Sequence, residues 1–530
     1  MGLHLLLVAT GAIAIAAVAR RRGWPAPLLL VLAGLVVSPF MPSAELDPEL
    51  VLFVFLPPLL YSAALDSSYL NLRDVKRPVA LLSIGLVLFT TFVVGWTVHL
   101  LVPSMPMAAA FALGAIIAPP DAVAAVAVGR RLGLPRRALT ILVGESLFND
   151  ATALTAYRVA IGIVMGGAVG QASAAVEALG VFLRATVLGT LIGLALALVI
   201  AWILERTRDS LVETTVMLLV PFGAYLAAEM AHASGVIAVV IVGLYLGHRM
   251  HRRGFGTRLV SSSVWRVTDF LLESIVFALI GLQLVPILQG LKGRSPWELA
   301  GAAVLVFLVT VAARFVWVFP AAYLQAWLIK SVPWPSAKQI TIVGWAGMRG
   351  VVSLAAAIAI PFTIERTGAP FPDRDLMLFL TFTTVIGTLL VQGLTFPWLI
   401  RKLKVTSEQE RYEDNLSEAS AQQAALDAGL QRLDEVVAAE GEPDEIQRDA
   451  IAQLRAKSQR RAMTAWERLG GGTGQDGAET PSTYYRRLRR EMLDAERAVF
   501  VRLRDERRLE DEVMRRVMAD LDFEEALMER

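Results

Sequence analysis

The chain has 530 residues, 55% of them hydrophobic and 18% charged, and it contains no cysteine. Its mean hydropathy of +0.56 is too apolar for a soluble protein of this length, and the lack of thiols excludes disulfides, thiol catalysis and cysteine-ligated metals. The formal net charge of +2 hides an asymmetry: residues 1–404 carry 30 Lys and Arg against 19 Asp and Glu, whereas residues 405–530 carry 20 against 29.

Apolar runs of 18 residues or more recur through the first 404 residues, which is the signature of membrane-spanning helices. They predict an all-α, polytopic transmembrane domain over residues 1–404 and a charged, mostly helical cytoplasmic tail over 405–530. About thirteen spans are expected, near 2–19, 25–41, 49–65, 78–102, 106–128, 138–166, 175–204, 210–229, 233–248, 264–289, 296–329, 337–361 and 375–400. The first lacks a preceding basic region and a small-residue cleavage site, so it reads as a span rather than a signal peptide.

Short loops set the orientation. Those after spans one, three, five, seven, nine and eleven hold Arg20, Arg21 and Arg22; Arg73, Lys76 and Arg77; Arg130, Arg131, Arg136 and Arg137; Arg206 and Arg208; Arg249, Arg252, Arg253 and Arg258; and Lys330 and Lys338. In the alternate loops the basic residues are Lys292, Arg294, Arg366 and Arg374. The positive-inside rule then places the N-terminus outside and the tail in the cytoplasm of a cell bounded by this plasma (inner) membrane.

The fifth span contains Ala118-Pro119-Pro120-Asp121, where two prolines remove two backbone donors and clash with the preceding turn, so a break is predicted. The sixth carries Gly144-Glu-Ser-Leu-Phe-Asn-Asp150. With a rise of ~1.5 Å per residue, Asp150 lies roughly 18 Å from Ala138, close to the middle of a ~30 Å hydrocarbon layer. A charge at that depth costs about 2.5–3.5 kcal/mol even on lenient scales, and an intramembrane acid reads as an ion or proton site. Glu145 and Asn149 share one helix face, as do Ser146 and Asp150. Ser146 and Asn149 offer neutral oxygens of the kind hard cations take, and desolvation penalises the bare carboxylate, so an alkali cation and a proton compete for Asp150. Asp121 lies at the fifth-span break, where freed carbonyls also face a cavity, and is a second acid within reach of a cation.

Further along the chain lie Glu273 in the tenth span, Arg314 in the eleventh and Arg349 in the twelfth. Buried ions are expected to pair, Glu145 with Arg314 as the first choice and Arg349 as the alternative. Arg158 and Glu229 read as interfacial residues that snorkel to water. The twelfth span also breaks, at Gly344-Trp-Ala-Gly-Met-Arg-Gly350. Seven spans separate the two breaks, so the broken segments run in opposite directions, which is the pattern of a secondary transporter's binding site. In the tail, 422–437 and 483–528 have helical periodicity, and the glycine-rich 469–481 reads as a flexible linker.

Together the motifs resemble the monovalent cation:proton antiporter superfamily, in the bacterial branch of the sodium/proton exchangers. The matching motifs are Phe55-Leu-Pro-Pro-Leu-Leu-Tyr61, Ala118-Pro-Pro-Asp-Ala-Val-Ala124, Gly144-Glu-Ser-Leu-Phe-Asn-Asp150, Ser234-Gly-Val-Ile-Ala-Val-Val240, Arg314-Phe-Val-Trp317, Gly347-Met-Arg-Gly350 and Gln392-Gly-Leu-Thr395, in order over 1–404. The resemblance implies inverted repeats of six spans with two crossing broken helices, a moving core, a dimerisation domain and a homodimer. It implies that Asp150 is the ion-binding, proton-exchanging acid and that Asn149 is the neutral neighbour of electroneutral exchangers. Ser146 and Asp121 would line the site, and Glu145 and Arg314 would form a structural pair. Arg349, Glu273 and Pro120 are supporting residues. Two departures stand out: Pro120 where relatives often have Thr, and Ser62 where many have an acid.

The expected function is exchange of Na⁺, or Li⁺, for H⁺ in sodium transport and pH homeostasis. K⁺/H⁺ exchange is the alternative. A channel would need an open filter rather than one titratable trap. An intramembrane aspartyl protease would need a Gly-x-Gly-Asp context, which Asp121 and Asp150 both lack. The expected partners are these ions, the bilayer and a second copy, with no cofactor and no nucleic acid.

Overall fold

The computed structural model describes residues 2–22, 26–40, 48–166, 171–207, 209–291, 293–328, 334–364, 367–405, 408–469 and 479–528. Every apolar run read from the sequence is helical. The first three are α1 (Gly2–Arg22), α2 (Ala26–Val37) and α3 (Pro48–Leu65). After the short α4 (Tyr69–Asp74), the fourth run comprises α5 (Lys76–Ala80), a π-helical turn at Leu81–Leu86 and α6 (Val87–Leu101).

The fifth run is split into α7 (Met107–Ile117) and α8 (Val123–Leu132), as its two prolines dictate. The next four are α9 (Arg136–Gly166), α10 (Gln171–Arg206), α11 (Ser210–Met230) and α12 (Gly235–His248). The carboxylates of Asp209 and the hydroxyl of Ser234 cap α11 and α12 by accepting from backbone N–H groups of the first turn. Next come α13 (Phe255–Gly290) and α14 (Pro296–Leu328), the split pair α15 (Ala337–Trp345) and α16 (Val351–Ile358), and α17 (Arg374–Leu403).

Helix α13 starts nine residues before the edge at residue 264 that hydropathy suggests. Its first turns carry Arg258, Ser261, Ser262 and Ser263; hydropathy marks the end of the apolar stretch, and the backbone continues as helix beyond it. Six helical stretches among the described residues are long and apolar enough to cross a membrane by length and composition. Helix α9 is not one of them, because Glu145, Asn149, Asp150 and Arg158 dilute its hydropathy.

Residues Met1–Thr406 form one compact unit, within which the helices sort into two bundles. One contains α1–α3 and α10–α13, with α13 on α2 and α12 on both α3 and α10. The other contains α5–α9 and α14–α17, with α6 on α7, α7 on α9 and α14 against α6, α15 and α17. Between lipid-embedded helices, small residues permit the closest approach. Helices α2 and α13 meet at Gly34 and Gly281, where a methyl on either would run into the other's backbone. In the other bundle, a methyl on Gly114 of α7 would meet the Thr91 carbonyl of α6.

The second compact unit spans Ser407–Arg530. It contains α18 (Glu408–Glu440), α19 (Glu445–Leu469), α20 (Pro481–Asp505) and α21 (Asp511–Met528). The region 422–437 is thus the interior of a longer helix. The periodicity of 483–528 is broken after Asp505, where Arg507 adopts φ 57°. Helix α19 escapes a reading from apolar periodicity because it is polar almost throughout and leaves Ile446, Leu454 and Met463 exposed. Arg489 binds Glu524 and Glu496, and Arg497 reaches Asp522 and Glu525, which ties α20 to α21. Residues 470–478 of the expected linker lie outside the described residues.

Candidate ion-binding site

The two helix breaks meet. The Asp121 N–H donates to the Met348 carbonyl at 2.6 Å, so each interrupted backbone supplies a partner for the other, as irregular chain at membrane depth requires. The carbonyls left over at the C-terminus of α7 are met by Arg349. Its Nε donates to Ile117 O at 3.0 Å and its Nη1 to Gly347 O, with Ala118 O also in reach. A guanidinium is thereby placed at the negative end of the α7 dipole. Asp121 lies two residues before α8, next to its N-cap Ala122, and its carboxylate lies against Gly350, the residue before α16. This acid therefore faces the positive ends of two half-helices.

Helix α9 passes this crossing with its polar face inward. Asn149 is fully buried, and its Nδ2 donates to the Pro120 carbonyl at 2.6 Å. Pro120 lacks a hydroxyl, yet its carbonyl, freed by the break, fixes the Asn149 amide. That hydrogen bond orients Asn149 Oδ1, which is buried and without a hydrogen-bond donor among the described residues. Asp150 is 6% exposed, and Asp121 is near enough to act on it electrostatically. Ser146 Oγ accepts a long 3.4 Å bond from the Ala122 N–H. Asp150, Asn149, Ser146 and Asp121 are thus gathered at one place, with oxygen atoms of three chemical kinds.

Glu145 points away from that group. Its two carboxylate oxygens accept from Nη1 and Nη2 of Arg314 at 2.5 and 2.8 Å, with both side chains almost wholly buried. Arg314 also donates to the Val343 and Gly344 carbonyls at the end of α15. The alternative pairing of Glu145 with Arg349 does not occur, because Arg349 is occupied by carbonyl oxygens. Glu273, on α13 of the other bundle, is within electrostatic reach of Asp121.

Two contacts differ from the sequence reading. Arg158 and Glu229 do not snorkel separately: they form an ion pair at 2.7 Å, and Arg158 also donates to the Tyr225 hydroxyl, which joins α9 to α11. Asp269, not singled out from the sequence, accepts from Ser62 Oγ at 2.5 Å. Where α3 lacks an acid, α13 presents one. The signal available was Asp269 and Glu273 one turn apart on one face of α13.

The transmembrane sodium/hydrogen exchanger family matches residues 6–402 of this chain. The chain belongs to that family. An uncharacterized Na⁺/H⁺ exchanger of Mycobacterium tuberculosis is 33% identical over 94% of this chain and 91% of its own length. A sodium, potassium, lithium and rubidium/H⁺ antiporter of Bacillus subtilis is 32% identical over 71% of this chain and 58% of its own. The fold resembles that of the sodium proton antiporter MjNhaP1 from Methanocaldococcus jannaschii, with a TM-score of 0.61 and 22% identity over 76% of this chain and 97% of that one. This exchanger is therefore a polytopic membrane transporter and not an enzyme, which closes the protease reading.

One close approach at the exchanger's crossing gives a direct test. A Cβ on Gly350 would fall on the Asp121 carboxylate. Gly350→Ala must displace that acid, and overpacking of this kind costs ~1–3 kcal/mol. If Asp121 contributes to binding, the cation concentration at half-maximal exchange rises about five- to hundredfold. An unchanged half-saturation in folded, reconstituted protein removes Asp121 from the site.

Proposed function

We propose that this exchanger swaps one Na⁺, or Li⁺, for one proton across the plasma membrane through the single carboxylate of Asp150. The observation that carries the reading is the crossing itself, which gathers Asp150, Asn149, Ser146 and Asp121 around one buried place. Asp150 supplies the charge that a cation or a proton neutralises in turn. Asn149 Oδ1 and Ser146 Oγ replace part of the cation's water, and Asp121 completes the site between two helix N-termini. Residues 1–404 form the transport domain and 405–530 a cytoplasmic tail, with the N-terminus outside and two copies in a dimer. The α5–α9 and α14–α17 bundle carries the site and moves against the other bundle.

Electroneutrality follows from which charges can change. Cation-bound and protonated Asp150 leave the same net charge on the site. Asn149 cannot titrate, and Arg314 remains a guanidinium with Glu145 ionised beside it. Moving one net charge through 100 mV would involve ~2.3 kcal/mol, enough to bias transport visibly. In proteoliposomes with a valinomycin-clamped potential, initial rates should be nearly equal at zero and about −100 mV, and flux should vanish when cation and proton gradients match. A reversal point that moves with voltage rejects one-for-one exchange and makes Asp121 a second proton carrier.

K⁺/H⁺ exchange is the second reading, favoured by the Bacillus subtilis relative, whose name includes potassium. Adding Na⁺, Li⁺ and K⁺ in turn to everted vesicles with a preformed pH gradient separates the two. Dissipation by K⁺ alone replaces the sodium reading.

A further inference from the structure

Helix α17 carries a polar stripe on the face it turns to the crossing. Thr388 fixes that orientation, because its Oγ1 accepts from the Arg349 N–H at 3.1 Å. Thr384 and Gln392 lie four residues to either side of it and so share its face. All three are fully buried. Buried threonines of a helix usually satisfy their hydroxyls on their own backbone, as Thr381 and Thr388 do with Met377 O and Val385 O. Thr384 does not, and neither its Oγ1 nor either polar atom of Gln392 has a partner among the described residues. The hydroxyl of Ser353 on α16 is also buried and unpaired.

A carboxamide with both ends unsatisfied is a costly residue to keep in a core, since each unmade hydrogen bond forfeits the desolvation of its group. Leu or Met would fill the same volume without that cost. The amide therefore has a ligand, and its chemistry says which. Gln392 presents an acceptor and a donor together, so the ligand must donate and accept. A bare alkali ion would leave the NH₂ unmet, because a cation accepts no hydrogen bond. Water satisfies both conditions, and buried water on otherwise unpaired polar groups is a regular part of protein interiors.

We propose that Gln392 holds a buried water, or a small cluster of them, that bridges α17 to the broken backbone of residues 346–350. A Cβ on Gly393, next in the chain, would just touch the Met348 sulfur, and it is the Met348 carbonyl that receives the Asp121 N–H. Gln392 is on this view a positioning residue. Through water it holds the turn that places Asp121, without touching the transported ion.

The test uses the full-length protein in two ways. A cryo-EM or crystal map that resolves water should show density ~2.7–3.2 Å from both Oε1 and Nε2 of Gln392. An amide turned onto a protein partner, or an empty apolar gap, overturns the proposal. The second arm is the sign of a stability change. Gln392→Met leaves the bridging water short of a partner, so the melting temperature in detergent should fall and half-saturating cation should rise about two- to tenfold. Gln392→Asn, which keeps a donor and an acceptor with room for one more water, should recover most of both. If the Met variant melts higher with unaltered cation affinity, the amide is dry and the assignment fails. The map and the melting shift do not depend on which cation is carried, so they stand apart from the transport reading.

Discussion

Replacing Asp150 with Asn is expected to abolish cation-dependent proton flux while leaving the protein folded. The side chain is nearly isosteric and the helix around it is unchanged, and the substitution removes a buried charge instead of exposing one, so no loss of stability is predicted. The functional loss has two parts. A hydrogen bond or ligand contact to a charged group is worth ~1.5–3 kcal/mol, so cation affinity alone should fall about ten- to hundredfold. The proton half of the cycle fails completely, because an amide does not carry a proton between pH values a cell visits. Purified protein in proteoliposomes, assayed with each of Na⁺, Li⁺ and K⁺, decides it. Substantial cation-driven proton flux in the Asp150→Asn protein would falsify the single-carboxylate reading outright.

The second large effect concerns stability. Glu145 and Arg314 are both almost fully buried and share two hydrogen bonds at 2.5 and 2.8 Å. Removing one partner of such a pair leaves an uncompensated buried charge and costs ~3–5 kcal/mol. Arg314→Leu should be the worse of the two single changes, because Arg314 also donates to the Val343 and Gly344 carbonyls that end α15. The combined Glu145→Gln and Arg314→Gln variant should recover part of the loss, since two amides can bond each other with no charge left over. Arg314→Lys should not, because an ammonium cannot reproduce the two-pronged contact. Thermal melts followed by size-exclusion fluorescence in detergent give the order directly. A Glu145→Gln protein that melts with the parent would show that the pair contributes nothing to the folded state.

Much of this architecture is written in hydropathy. Spans such as α11, α12 and α17 stand within a few residues of their predicted limits because a ~30 Å apolar layer imposes its length on any helix that crosses it. The breaks were legible for a different reason: Pro119-Pro120 and the glycines around Arg349 cannot continue a helix. What the chain alone left open was which faces meet. Glu145 had two candidate arginines, and only the position of Val343 and Gly344 beside Arg314, and of Ile117 beside Arg349, separates them. Asp269 carries little signal in the sequence, because a carboxylate near the end of an apolar run is ordinarily solvated; its contact with Ser62 arises from packing α13 on α3, more than two hundred residues away in the chain. The polar helices of the tail were half legible, since α19 has no apolar stripe to mark it.

The glycine contact between α2 and α13 bears on how the membrane part responds to load. With Gly34 and Gly281 in backbone contact, these two helices behave as one thick beam, stiff against sliding along their axes. The α6–α7 contact at Gly114 stiffens the other bundle in the same way. Compliance is then left to the seam between the bundles, where the Arg158–Glu229 pair acts as a polar catch.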